Sequence, residues 1–205
     1  FTVNDEKGFY HCFSTSEHGN IFDFIMKTQN LRFGESVKYL ANLAGMQPYT
    51  LTKKDEEREN QWKEYSEIFK TYVDFCHNEL LKNNELIFVK EYLKKRNLTK
   101  EEVVKFNIGY VQSNNSFVRE LESRFNQKSL LETGLFYLDE KRKVLIERFK
   151  ERVVFPINSI TGYPIALGGR KIKENNNFAK YINSPETPFF KKGSNLYNLD
   201  FARKF

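Results

Sequence analysis

The sequence predicts an α+β chain that is α-rich first and β-rich second. Apolar residues recur at helical spacing from Ile21 to Leu131. After Gly134 the period shortens to that of strands, in LFYLDE, RVVFPI and YPIALGGR. The charge divides at nearly the same place. Residues 141–205 hold 14 Lys and Arg against 5 Asp and Glu, whereas the first 140 residues hold 19 against 22. The last third therefore makes the whole +6 net charge, and a one-sided basic region is an electrostatic footprint for a polyanion.

The elements follow in order. Phe1–Phe13 reads as a hairpin, with strands FTV and FYHCF around the turn Asn4–Gly8. Asn20 caps a helix carrying Ile21, Phe22, Phe24 and Ile25. A second helix spans 34–44, with Val37, Leu40, Ala41 and Ala44 at helical spacing and Gly45 as its stop. A linker containing Pro48 leads into one long helix over 55–83, whose Trp62, Tyr65, Phe69, Tyr72 and Cys76 form a single buried stripe. Another helix covers 84–96. Thr99 and Glu102 make a capping box for TKEEVVKF, and short helices follow at 116–125 and 129–132. Ser159–Gly162 turns RVVFPI into YPIALGGR, Asn175–Asn177 is a loop tip, and a helical pattern begins at Leu199.

Composition narrows the class. With 40% hydrophobic residues, 20 Phe and 11 Tyr, the chain has ample core material. It has no apolar run long enough to span a membrane. Cys12 and Cys76 lie far apart in unlike contexts, which points to a reducing cytoplasm rather than a disulfide scaffold. No phosphate-loop or dinucleotide fingerprint occurs.

The basic half carries the chemistry. In ERFKER, Arg148, Lys150 and Arg152 alternate, so on an extended strand they share one face, either as phosphate contacts or as the charged rim of an edge strand. Gly168-Gly169 before Arg170 permits close backbone approach, to a phosphate or simply within a turn or bulge. Phe178, Tyr181, Phe189, Phe190 and Tyr197 interleave with lysines; one or two are expected exposed for base stacking and the rest in the core. Pro185 and Pro188 exclude regular helix from Asn183–Thr187 and favour a rigid loop.

The runs ERFKERVVFPI, GYPIALGGR, KYINSPET and FFKKGSNLYNL resemble, in order, blocks of the RNA-polymerase domain of bacterial replicative DNA primases. KKRNLTKEEVVKFNIGYV resembles that family's helical block, and FTVNDEKGFYHCF with EHGNIFDFIM resembles the second half of its zinc-binding domain. The resemblance implies a partial zinc-ribbon hairpin with helices over 1–47 and a linker over 48–55. It further implies the N-terminal subdomain of the RNA-polymerase domain over 56–205, a mixed α/β basic subdomain preceding a Toprim domain that lies beyond Phe205. The chain starts at Phe1 without a methionine and is read as a piece of a longer protein.

The family's template-binding residues carry over to Arg96, Arg148, Arg152, Arg170, Lys180, Asn183 and Lys192, with Lys180 and Lys192 foremost. The resemblance also implies primer synthesis on single-stranded DNA from ribonucleoside triphosphates with Mg2+, and a replicative helicase partner contacted through a C-terminal domain. No catalytic residue is expected inside these 205 residues, which hold no Asp-x-Asp in the basic half. The rival reading is a non-catalytic single-strand-binding module of the same ancestry.

Zinc is the point of departure. The family places a Cys-x-x-Cys pair on the hairpin, but here Cys12 is followed by Thr15 at the second ligand position. Threonine does not replace a thiolate in a tetrahedral Zn2+ site. The site is then lost, weakened to three ligands, or completed by His18, with His11 also nearby.

Overall fold

The computed structural model describes residues 1–31, 33–46, 53–113, 116–173 and 178–203. The chain divides into two compact units, Phe1–Glu56 and Glu57–Phe205.

In the first unit, strands β1 (Thr2–Asn4), β2 (Phe9–His11) and β3 (His18–Asn20) form an antiparallel sheet in that order. Helices α1 (Ile21–Thr28) and α2 (Phe33–Leu43) follow. Asn20 caps α1 as predicted: its side chain accepts from the Phe22 and Asp23 N–H groups, while the Asp23 carboxylate accepts from the Asn20 N–H. β3 is not foreshadowed in the sequence, because HGN carries no strand propensity and is held by pairing with Phe9–His11. Tyr10 is the buried anchor, stacked on Phe1 at 5.6 Å and edge-on to Phe24 at 5.3 Å.

The second unit is built on α3 (Lys53–Lys82). Of the predicted linker, residues 48–52 lie outside the described residues. Lys53–Asp55 are helical, because the acidic first turn carries the helix back to Lys53. The stripe is as expected: Tyr65, Phe69, Tyr72 and Cys76 are buried, with Trp62 packed beside them. After a single 3-10 turn at Asn84–Leu86 come α4 (Ile87–Lys95) and α5 (Lys100–Lys105), the latter closed by the Thr99–Glu102 capping box. Strand β4 (Gly109–Val111), α6 (Ser116–Arg124) and α7 (Gln127–Glu132) follow.

The basic half forms β5 (Phe136–Asp139), β6 (Val144–Glu147), β7 (Arg152–Asn158), β8 (Pro164–Lys171), β9 (Tyr181–Asn183) and the short α8 (Leu199–Ala202). β5 and β6 pair as a separate ribbon, and the main sheet has the antiparallel order β4-β7-β8-β9. Alternation sends Val111, Val154, Ile165 and Leu167 to the side of α3. Tyr110 and Val153 face the other way, toward Val89 and Leu93 of α4 and Val103 of α5. The expected Asn175–Asn177 loop tip lies outside the described residues.

ERFKER is not one strand, contrary to its sequence reading. β6 ends at Glu147, β7 begins at Arg152, and the chain turns between them with Glu151 at φ +56. The two halves belong to different sheets, so the alternate-residue argument for a common cationic face does not hold. β7 is also interior, between β4 and β8, and not an edge.

Candidate nucleic-acid interface

The segment after β9 is a loop fixed at several points. Ser184 is fully buried; its N–H donates to Leu167 O at 2.8 Å and its hydroxyl accepts from the Leu167 N–H at 2.9 Å. Pro185 lies so close to Gly134 that a Cβ there would fall 2.5 Å from Pro185 Cγ. Gly134 also has φ +69, so both space and backbone demand glycine. Tyr65 donates its hydroxyl to Ile165 O at 2.7 Å and sits 2.9 Å from Thr187 Oγ1, which therefore donates to it. Burial pushes the Tyr65 phenol up to about 12, so it stays a neutral donor. The Glu186 carboxylate accepts from the Lys192 N–H at 3.3 Å. On this frame Lys180, Asn183 and Lys192 are all exposed. Lys180 flanks β9, Asn183 ends it and Lys192 closes the fixed loop, so a ligand meeting them would find them already ordered.

Arg170 extends the surface. In the β8–β9 register Arg170 is opposite Tyr181 and Gly168 is opposite Asn183, so Arg170, Tyr181 and Asn183 share one face of the sheet. The Arg170 guanidinium lies 4.8 Å from the Tyr181 ring centroid and 5.4 Å from that of Tyr92 on α4. Arg96, at the C-cap of α4, lies over the same Tyr92 ring at 5.7 Å. The result is a ladder of Arg96, Tyr92, Arg170 and Tyr181, with Tyr181 64% exposed. Cations held on ring faces are oriented for phosphate oxygens, and an exposed tyrosine beside them offers a face for a base.

Two of the expected arginines are placed differently. Arg148 is half-buried at the base of the β5–β6 ribbon, where its Nε donates to Gly134 O at 2.9 Å. Through Gly134 it adjoins Pro185 of the loop. Arg152 is 5% exposed, and its Nη1 has no partner among the described residues. It pairs with Lys171 while Val153 pairs with Arg170, so Arg152 and Arg170 are on opposite faces of the sheet. The second glycine of the pair serves packing: a Cβ on Gly169 would lie 2.6 Å from the Phe149 ring and 3.2 Å from Arg152 Cδ. Of the interleaved aromatics, Phe190 is buried and Phe189 packs on Tyr65, whereas Phe178, Tyr181 and Tyr197 are exposed, one more than expected.

Sequence reasoning misses Tyr92 in the ladder and the tethering contacts of Tyr65 and Ser184. Tyr92 has a signal, four residues before Arg96 in a predicted helix. Tyr65 reads as core by its apolar ring, and nothing local announces what its hydroxyl reaches.

The hairpin does not fit a tetrahedral Zn2+ site. Among the described residues no three His, Cys, Asp or Glu side chains come together to hold a metal. Cys12 Sγ is 3.2 Å from Ser14 Oγ, and hydrogen bonds from the Ser14 and Thr15 side chains pull its thiol down to about 6. His18 does not complete a set; its Nδ1 is 3.1 Å from Ser16 O and its ring stacks 6.0 Å from His11. The knuckle thus stabilises a thiolate at Cys12 and puts a hydroxyl where a second thiolate is needed.

Comparison with known proteins agrees with this architecture. Residues 75–203 match the DNA primase catalytic core, N-terminal domain, and residues 1–57 match the CHC2 zinc finger. The DNA primase of Buchnera aphidicola subsp. Baizongia pistaciae is 36% identical over 210 residues, covering 97% of this chain and 34% of its own length. The Aquifex aeolicus primase zinc-binding and RNA polymerase domains superpose with a TM-score of 0.62 at 30% identity, over 98% of this chain and 47% of that one. A DnaG primase catalytic domain bound to ssDNA superposes with a TM-score of 0.64 at 30% identity, over 71% of this chain and 45% of that one. The chain spans about a third of the length of the curated relatives it matches. By its helical block, its basic sheet and the loop that follows β9, the chain belongs to the DNA primase family.

Proposed function

We propose that this chain is the template-guiding part of a bacterial DNA primase, a DNA-directed RNA polymerase that lays short RNA primers on single-stranded DNA for replication. The observation that carries the reading is the strand β9 and the fixed loop after it, whose exposed Lys180, Asn183 and Lys192 lie beside the Arg96–Arg170 ladder. Lysines and arginines supply sequence-independent phosphate affinity, and Asn183 adds a donor. Arg148 supports the loop from the ribbon side through Gly134. Arg152 acts as a buried brace beneath Gly169 and does not itself meet the strand.

The same reading assigns residues 1–47 to the end of a zinc-binding domain, 48–55 to a linker and 56–205 to the N-terminal subdomain of the polymerase domain. A Toprim domain following them would hold Mg2+ and the ribonucleoside triphosphates, and a further C-terminal domain would engage the replicative helicase in the cytoplasm. Zn2+ at the hairpin would depend on ligands outside the described residues. No helix of the described residues is long and apolar enough to cross a membrane.

The test is primer synthesis by the full-length protein on single-stranded template. Lys180→Ala is expected to lower kcat/KM for template about tenfold by raising KM, so that the loss of rate shrinks at high template concentration. A full-length protein that makes no RNA with Mg2+ and all four ribonucleotides would overturn the enzymatic reading.

A further inference from the structure

The β5–β6 ribbon carries side chains that the loop surface does not use. Its register pairs Tyr137 with Ile146 and Asp139 with Val144. Tyr137, Asp139, Val144 and Ile146 therefore share one face, and Phe136, Leu138, Leu145 and Glu147 the other. The second face is the buried one, with Phe136, Leu145 and Glu147 inside. The first is open: Tyr137 and Val144 are each 44% exposed.

At the far end the chain reverses through Glu140, Lys141, Arg142 and Lys143, all exposed. Asp139 is spent on the turn itself. Its Oδ1 accepts from the backbone N–H groups of Lys141 and Arg142 at 2.9 and 3.1 Å, and its carbonyl accepts from the Lys143 N–H at 2.7 Å. None of the three cations has an ion-pair partner among the described residues. At the near end Arg148 lies over the Tyr137 ring at 5.7 Å and bonds Gly134, which abuts Pro185 of the loop. A charged tip alone would do no more than keep a ribbon soluble. Here the tip ends a continuous strip of cation, aromatic ring and three unpaired cations. The strip leads from the loop along about 13 Å of strand, four residues at about 3.3 Å each.

We propose that this ribbon is a basic finger extending the single-strand track beyond the loop, with Lys141, Arg142 and Lys143 taking phosphates and Tyr137 a base face. This rests on the reading of the Lys180–Lys192 surface as a single-strand site.

The test compares this chain with its Lys141→Gln/Arg142→Gln/Lys143→Gln variant by fluorescence anisotropy on labelled oligo-dT. Strands of about six and about twenty nucleotides bracket the site size of a single-strand module. On the longer strand the variant's salt slope is expected to flatten by about two, since each phosphate left without its cation takes about 0.7 from the slope. On the shorter strand, seated at the loop, it is expected to match the parent. In the unsubstituted chain the longer strand, and not the shorter, protects Lys141 and Lys143 from acetylation. Equal slopes on the longer strand, absence of protection, or an equal weakening on both strands would each reject the finger. A Lys180→Ala/Lys192→Ala chain that still bound more weakly than the parent would leave the loop reading standing. If the parent chain bound neither strand, finger and loop reading would fall together.

Discussion

Glu147 is the buried group whose removal has the clearest consequence. It ends β6 opposite Phe136, is 5% exposed, and accepts from the Tyr72 hydroxyl at 3.0 Å. Burial raises its carboxyl from 4.5 to about 7, against smaller opposing effects of the Tyr72 hydrogen bond and Lys150. Tyr72 and Cys76, its neighbours on α3, are pushed well above their ordinary values and stay neutral in this range. Between pH 4.5 and 7 the folded state holds a proton that the unfolded chain releases. Stability therefore falls as pH rises through this window and stays lower above it. At 1.36 kcal/mol per unit the deficit at pH 8 is about 3 kcal/mol. Glu147→Gln keeps an oxygen for the Tyr72 hydroxyl and removes the ionisation. Urea unfolding followed by the fluorescence of Trp62 reads the second unit directly. The variant is expected to be more stable than the parent by about 3 kcal/mol at pH 8 and within about 0.5 kcal/mol of it at pH 4. Parallel stability curves from pH 4 to 8, or a variant weaker at pH 8, would refute the argument.

Other substitutions probe the loop and its supports. Tyr65→Phe removes the hydroxyl shared by Ile165 and Thr187; it is expected to cost about 1–2 kcal/mol in urea unfolding and to weaken oligo-dT binding without changing the salt slope. Gly169→Ala drives a Cβ into the Phe149 ring and is expected to lower stability by about 1–3 kcal/mol, with an unchanged thermal midpoint contradicting the packing. Cys12 is expected to react with iodoacetamide with a pH midpoint near 6, while buried Cys76 stays unmodified until the chain unfolds; peptide mass spectrometry distinguishes them.

The elements legible in the sequence are those specified locally. Asn20 and Thr99 announce their helices because a cap acts within three residues, and the α3 stripe shows because burial repeats at helical spacing. Strands β3, β4 and β9 are three residues each and gain their identity from pairing with a neighbouring strand rather than from their own sequence, so no local period marks them. ERFKER misleads because Glu151 adopts positive φ, a conformation that glutamate does not advertise. In the candidate interface, Lys180, Asn183 and Lys192 are readable from the family resemblance, and the structure shows all three exposed, around β9 and the loop that Ser184 fixes. The pairing of Arg170 with Tyr92 is not readable, since it joins β8 to α4 across 78 positions of sequence through tertiary packing alone.

The most direct test of the central claim is the salt dependence of oligo-dT binding by this chain and by its Lys180→Ala/Lys192→Ala variant. The parent is expected to bind weakly with a steep negative slope of log affinity against log salt, because affinity rests on phosphate neutralisation. Removing two phosphate-neutralising cations is expected to flatten that slope by between about 1.4 and about 2, with the fold intact. Identical slopes for the two proteins would show that the loop from Lys180 to Lys192 does not carry the template.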